Sequence, residues 1–130
     1  MIKNHFFLLI IFLFSGCLEN TEKSSNYLNI LDFGAVASDN ELDTRAIQNA
    51  IDEASKEGGG TVYFPVGTFN SGTLILKDKV SLHLETGAVL QASELLEDYS
   101  GKDKSYITGI DLNDISISGK GIIDGAGSIF

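Results

Sequence analysis

The first periodic stretch of apolar residues has the spacing of an amphipathic helix. From residue 44 onward apolar side chains recur at intervals of three and four positions, at Ile47, Ala50, Ile51 and Ala54. This spacing places them on one face of a helix. Asp43 is predicted to cap the N-terminus of this helix, because its carboxylate can accept free backbone N–H groups. The glycines of 58–60 end the helix, and Gly58 suits the left-handed position after it.

Beyond residue 60 apolar positions alternate with polar ones, which is the period of a β-strand. A strand over 61–69 is interrupted at Pro65, which lacks an N–H group and is predicted to lie at a strand edge or corner. A short strand is predicted earlier, at 28–31. Further strands are predicted where apolar residues share an inward face, at Leu74, Leu76, Val80, Leu82, Leu84 and Val89, and again at Ile115, Ile117, Ile122 and Ile123.

The two later stretches form a faint internal repeat. Residues 77–90 align with 112–123 if one residue is dropped, so that Leu82 matches Ile117 and Gly87 matches Gly121. The repeats lie about 35 residues apart, a distance that includes a polar excursion at 94–106. Without that excursion the unit has the length of a solenoid repeat.

The repeat and the absence of a helical pattern between the strands argue against a doubly wound α/β sheet. Asp124 followed by Gly125 is the only Asn-Gly or Asp-Gly dipeptide in the sequence, and a sandwich of hairpins would be expected to have more of them. The sequence therefore predicts an all-β protein, a right-handed single-stranded parallel β-helix. The short α-helix is predicted to cover its N-terminal end, because the first coil would otherwise present unpaired backbone groups.

The N-terminal residues have the features of an export signal. Lys3 is followed by nine consecutive apolar residues at 6–14, which as a helix are too short to cross a bilayer. Cys17, the only cysteine, follows small residues and resembles the lipidated cysteine of a bacterial lipobox. We expect a lipoprotein signal over 1–17, a polar tether over 18–29 and a location at the outer membrane, in the periplasm or on the cell surface. The alternative is a plain signal peptide with an incidental cysteine.

The formal net charge of −9 in 130 residues changes the range of partners that we expect. An acidic chain repels nucleic acid and anionic lipid surfaces, so we expect no nucleic-acid partner. Membrane contact is expected only through a lipid on Cys17. The chain also offers no electropositive groove for an acidic polymer. We expect a monomer that uses no cofactor and no metal.

Several stretches between residues 30 and 130 form a recognisable set: residues 32–35, 43–48 and 58–60, the Pro65-x-Gly67-x-Phe69 motif, 80–93 and 119–127. Through them residues 30–130 resemble the opening of the pectin-degrading β-helix enzymes, and above all the polygalacturonase family of glycoside hydrolases. The resemblance implies a parallel β-helix in which 30–130 form the N-terminal cap and the first coils, truncated at the C-terminus. It implies hydrolysis of α-1,4-galacturonosyl links in pectic polysaccharide, with inversion, by the complete enzyme.

The motifs that carry catalysis in that family are absent from this sequence. They are Asn-x-Asp, Asp-Asp, Gly-His-Gly and Arg-x-Lys, and none of them occurs here. We therefore expect no catalytic residue in this chain and no activity from it alone. The alternatives are a polysaccharide lyase of the pectate lyase superfamily and a non-catalytic β-helix that binds carbohydrate or has a structural role.

The remaining polar residues are predicted to have structural roles. Asp124 is expected to bond to the backbone of a tight turn, and Asp32 to serve a turn or cap. His83 alternates with inward leucines and is expected to point outward, without a metal or catalytic role. A further group is an acidic and aromatic loop, which is expected to be a solvated surface, although it could overhang a binding groove or stack on sugar rings: Glu94, Glu97, Asp98, Tyr99, Asp103 and Tyr106.

Overall fold

A computed structural model of the protein describes residues 26–127. One α-helix, α1, spans Thr44–Lys56, and a 3₁₀ turn spans each of Ile30–Phe33 and Leu96–Asp98. The strands are β1 (Tyr27–Asn29), β2 (Gly60–Phe64), β3 (Gly67–Ser71), β4 (Leu74–Ile75), β5 (Val80–Leu84), β6 (Ala88–Ala92), β7 (Ile107–Thr108), β8 (Ser116–Gly119) and β9 (Ile122–Asp124).

The strands stack into three parallel sheets, as a coiling chain requires. One sheet has the order β1-β2-β5-β8, the second β3-β6-β9 and the third β4-β7. Every strand pair is parallel, and equivalent positions lie one above another, as in Val62, Leu82 and Ile117. Pro65 lies at the corner between β2 and β3. The predicted all-β parallel β-helix is confirmed.

The core is a column of inward side chains from successive coils. In β2 and β5 alternate residues are buried and the residues between them are half-buried. The prediction that Val89 points inward is wrong, because the short turn at 85–87 brings Leu90 to the inward position and leaves Val89 half-buried on the outer face. Fully buried members of the column include Phe64, Phe69, Leu74, Leu82 and Leu90.

The isoleucines of the last described coil are all more exposed than predicted. Ile117 pairs with Leu82 and Ile123 with Leu90, so both occupy inward positions, yet they are 47% and 39% exposed. Ile115 is 40% exposed, and Ile122, beside Val89, lies on the outer face at 59%. The register also shows that the repeat drops two residues between β8 and β9. Gly121 is therefore equivalent to Ala88 of the preceding coil, and the predicted match with Gly87 is wrong.

The helix packs on the coils through the predicted apolar stripe. Ile47, Ala50, Ile51 and Ala54 are fully buried, and burying an isoleucine contributes roughly 1.5–3 kcal/mol. At the C-terminus Gly58 has φ +90°, its N–H donates to Ser55 O and that of Gly59 donates to Ala54 O. This is a Schellman motif, which pairs the last carbonyl groups of the helix.

Strands β2, β3 and β4, which form the first coil, find hydrogen-bond partners on their outer edge. β1 pairs with β2, and the segment before the helix pairs with β3, since the N–H of Asp43 donates to Asn70 O at 2.7 Å. One side chain of the helix, that of Gln48, forms hydrogen bonds with the outer edge of β4. The Gln48 amide accepts from the N–H of Ile75 at 2.9 Å and donates to its carbonyl at 3.0 Å. These contacts satisfy groups that would otherwise be open edges.

The start of the described chain differs from the expectation. The strand predicted at 28–31 is replaced by β1 and the following 3₁₀ turn, because Asn29 Oδ1 accepts from the N–H of Leu31 at 3.0 Å and starts the turn. The last residues of the predicted tether are thus part of the fold, and Asn26 bonds to Glu57 and Gly59. The predicted signal over 1–17, including Cys17, lies outside the described residues. Among residues 26–127 no helix has the length and apolar character needed to span a membrane.

Candidate functional site

A groove of about 430 Å³ lies at the end of the outer face of the β3-β6-β9 sheet. Its floor includes Asn70 of β3 and Gln91 of β6, which are directly paired and point outward. The side-chain amides of both residues have no hydrogen bond within the described part of the chain. The volume lies in the range that small ligands occupy. We call this cavity the amide groove.

The segment at 40–42 contributes one part of the lining, with Asn40, Glu41 and Leu42. Two contacts anchor the segment: the N–H of Glu41 donates to Asp39 Oδ1 at 3.0 Å, and Leu42 forms a parallel bridge with Asn70. Leu42 is 48% exposed. The segment therefore presents an amide, a carboxylate and an apolar surface on a backbone that is tied to the coil.

The turn that follows β6 contributes the other part of the lining, with Glu94, Leu95 and Asp98. Ser93 organises it: its hydroxyl accepts from the N–H of Leu95 at 3.1 Å and donates to Asp98, and its N–H donates to Ser71 O at 2.8 Å. The acidic loop, predicted to be a solvated surface, therefore has some residues in the groove lining and others outside it. Glu94 and Asp98 line the groove, whereas Glu97 and Asp103 are exposed outside it.

The two loop tyrosines pack against each other. Their rings meet edge to face with centroids 6.4 Å apart, and Tyr99 is only 6% exposed, in a small cluster with Ala92 and Ala126. Burial raises the pKa of Tyr106 to about 12, against a smaller opposing effect of the hydrogen bond with Ser71. The Tyr99 ring is therefore largely core. Tyr106 is half-buried, and both tyrosines border a second cavity of about 310 Å³.

Asp43 occupies the N-cap position of α1 without capping it. Its Oδ1 accepts from the N–H of Val36 at 3.0 Å, while Oδ2 is buried and has no hydrogen-bond partner in the described structure. Burial raises the pKa of Asp43, the N–H of Val36 opposes that shift, and the Asp39 carboxylate adds to it. The predicted cap is wrong because the side chain turns back to fasten the preceding loop.

The other predicted polar residues lie away from the amide groove or are bonded locally. Asp124 shares the register of Gln91, and its Oδ1 accepts from the N–H of Ala126 at 2.9 Å, which confirms the turn role. Asp32 is exposed in the first 3₁₀ turn, whose cap is Asn29.

His83 points outward from β5, as predicted. Its ring stacks on that of Tyr63 with the ring centroids 6.1 Å apart, and its Nδ1 lies 3.0 Å from Ser118 Oγ. The sequence did not indicate this stack, because the partners lie on neighbouring coils. Among residues 26–127 no three His, Cys, Asp or Glu side chains converge into a group that could hold a metal ion.

Comparison with known proteins supports the same architecture. A "Probable polygalacturonase" of Vitis vinifera is 33% identical over 122 residues, and an exo-poly-alpha-D-galacturonosidase of Dickeya chrysanthemi is 36% identical over 119 residues. These matches cover 78% and 77% of this chain but only 25% and 19% of the relatives. The solved family 28 exopolygalacturonase of Yersinia enterocolitica is 37% identical with a TM-score of 0.68, over 77% of this chain and 21% of that one. Such neighbours are right-handed parallel β-helices.

Shorter matches connect the chain to enzymes with other names. The alginate lyase 7 of Azotobacter vinelandii is 47% identical over 60 residues, which is 40% of this chain and 7% of that protein.

The family model described as rhamnogalacturonase A/epimerase, pectate lyase-like, matches residues 27–122. That match includes every strand from β1 to β8 and the helix that covers the first coil. The chain therefore belongs to the pectate lyase-like family of rhamnogalacturonase A and epimerase.

Proposed function

We propose that the protein to which this chain belongs is a glycoside hydrolase that cleaves pectic polysaccharide, and that this chain supplies its capped first coils. One observation carries the proposal: two relatives named for polygalacturonan cleavage align over more than three-quarters of this chain. The described coils also have the geometry on which such chemistry depends, because parallel strands stack about 4.8 Å apart and hold side chains at fixed spacing.

The reaction is inverting hydrolysis of an α-1,4-galacturonosyl link. It requires one carboxylic acid that protonates the leaving oxygen and a carboxylate that activates water, about 6.5–9.5 Å apart. The four family motifs that would supply these groups are absent here, so we place them on coils outside this sequence. The contribution of this chain is structural and includes one end of a substrate-binding surface.

The test is an assay of the full-length protein, encoded by the whole open reading frame that contains these 130 codons. We expect it to release reducing ends from polygalacturonate without forming an unsaturated, ultraviolet-absorbing product. The 130-residue chain alone is expected to release none. Release of reducing ends by this chain alone, or no cleavage of any pectic polymer by the full-length protein, would contradict the proposal.

A uronate lyase or epimerase is the second candidate, and the 47% identity with an alginate lyase over 60 residues favours it. That match is confined to 40% of the chain, whereas the polygalacturonase matches extend over nearly twice as much. The same assay separates the candidates. A lyase forms the unsaturated product, an epimerase changes the uronate composition without cleavage, and a binding protein retains the polymer unchanged.

We also infer that the protein is exported and anchored by lipid on Cys17, at the outer membrane and facing the periplasm or the outside. The support is the sequence of 1–17, with Lys3, nine apolar residues and small residues before the cysteine. Two or more acyl chains would hold it stably. Metabolic labelling with a fatty acid should mark the wild type and not Cys17→Ser, and sedimentation of the delipidated protein should give a monomer.

A further inference from the structure

The amide groove is lined by uncharged polar side chains together with apolar ones. Three side-chain amides, those of Asn40, Asn70 and Gln91, meet two exposed leucines, one on each contributing segment. Amides donate and accept hydrogen bonds, which suits hydroxyl groups. Leucine side chains offer apolar area for the C–H face of a ring. This combination suits a pyranose unit, and the volume of about 430 Å³ is sufficient for a small ligand.

The charges around the groove have one sign. Glu41, Glu94 and Asp98 line it, and no lysine, arginine or histidine is among the described residues that do so. A carboxylate on the ligand would therefore lie beside several carboxylates of the protein. At a solvent-exposed site each such contact is weakly repulsive, and salt screens it.

We propose that the amide groove binds an uncharged sugar unit of the substrate, either a neutral pyranose or a galacturonosyl unit whose carboxylate is esterified, and disfavours free uronate. The inference rests on the proposed function in one respect, namely that the ligand is a segment of a pectic chain. Polar recognition comes from Gln91 and Asn70, and discrimination comes from Glu94 and Glu41. The basic groups that a free uronate needs are not among the described residues that line the groove.

The experiment measures affinities of the full-length protein for three probes by titration calorimetry at low salt. The probes are an oligogalacturonate, its methyl ester and a neutral galacto-oligosaccharide. The free acid is also bound wherever the full-length protein cleaves galacturonosyl links, so the overall affinities do not isolate the groove. The effect of each variant on each probe does isolate it, and added salt should reduce the effect of a variant that removes a charge. The relative affinities of the two uncharged probes tell which source of uncharged unit the groove accepts.

Two matched variants assign the effect to the groove. Glu94→Gln removes a charge that lines it, and Glu97→Gln removes an equal charge three residues away that does not. We expect Glu94→Gln to raise affinity for the free acid several-fold with little change for the uncharged probe. Glu97→Gln should leave both within twofold. Gln91→Leu is expected to weaken the uncharged probe by about tenfold, since it removes the central amide.

Equal effects of the two glutamate variants on affinity for the free acid, or an equal effect of Glu94→Gln on the charged and uncharged probes, would overturn the inference. Cleavage of polygalacturonate is measured separately, so the two proposals fail independently. A protein that cleaves polygalacturonate but shows no charge discrimination at Glu94 loses only this inference, and one that cleaves no pectic polymer but discriminates as expected loses only the proposed function.

Discussion

The bidentate contact between Gln48 and Ile75 gives the sharpest test of how the helix covers the coils. In Gln48→Ala the N–H and carbonyl of Ile75 lose both their partners. The groups of Leu74 and Leu76 are unaffected, because their N–H groups donate to β7 and its flank, at Tyr106 O and Thr108 O, each at 2.8 Å. Of these three consecutive residues, only Ile75 therefore has an N–H group whose partner is Gln48.

The magnitude follows from the two lost hydrogen bonds. A protein hydrogen bond contributes about 0.5–1.5 kcal/mol net, so the pair contributes about 1–3 kcal/mol. Ile75 is 47% exposed, and water can replace part of the loss. We therefore expect about 1–2 kcal/mol of local destabilisation, which corresponds to a factor of about 5–30 in the local opening equilibrium.

Amide hydrogen exchange measures that equilibrium residue by residue. In Gln48→Ala of the full-length protein, we expect the Ile75 amide to exchange about 5–30 times faster than in the wild type. The amides of Leu74 and Leu76 should change much less. Asn49→Ala is the matched control, since Asn49 is exposed on the same helix, and it should leave all three rates within about twofold.

Two results would contradict this role of Gln48. An unchanged rate at Ile75 would mean that the Gln48 amide is not the partner that protects β4. Equal acceleration of Ile75 and its two neighbours would mean that the variant loosens the whole coil, and that the edge contact has no separate role.

Three further predictions test other contacts. Gly72→Ala would place a Cβ atom 1.8 Å from the carbonyl oxygen of Asp98. We therefore expect the free energy of unfolding, measured by thermal denaturation, to fall by about 3 kcal/mol or more. In the control Gly125→Ala the new Cβ atom meets nothing within 4 Å, and stability should change by less than about 0.5 kcal/mol. In Gly58→Ala the new Cβ atom meets no atom either, but the residue must keep φ +90°, which costs about 1–2 kcal/mol of stability. A loss of stability below about 0.3 kcal/mol would contradict the Schellman motif. Because the pKa of Tyr106 is raised from 10.0 to about 12, the folded state keeps a proton that the unfolded state loses, and stability should fall between those pH values by about 2–3 kcal/mol. Tyr106→Phe should lack that part of the fall, and an absorbance titration in which Tyr106 ionises near pH 10 would refute the shift.

Local sequence was sufficient for the elements whose pattern repeats at short range. The stripe from Ile47 to Ala54 is buried as its spacing indicated, and Gly58 adopts the left-handed conformation expected after the helix. Helix periodicity and a glycine stop depend on neighbours within one or two turns. For the same reason the alternation in β5 identified Leu82 as inward and His83 as outward.

Register across a corner could not be predicted from the same pattern. Val89 and Leu90 are both apolar, and alternation allows either to face the core. The three-residue turn between β5 and β6 decides for Leu90, because a shift of one residue moves every side chain of a strand to the other face. Asp43 was misjudged for a related reason: its carboxylate has a second partner, the N–H of Val36, which only the folded loop brings within 3.0 Å.

The fold class follows from local sequence alone: the period of two, the glycine corners and the amphipathic helix lead to stacked parallel coils, since few other folds satisfy them together. Glu41 and Glu94 are 53 positions apart in the chain, and only folding brings them to one groove with Asn70 and Gln91. Stacking does so because it brings equivalent positions of successive coils to about 4.8 Å, a distance set by backbone hydrogen bonds between strands. Side chains that meet in this way leave no mark in the local spacing of the chain.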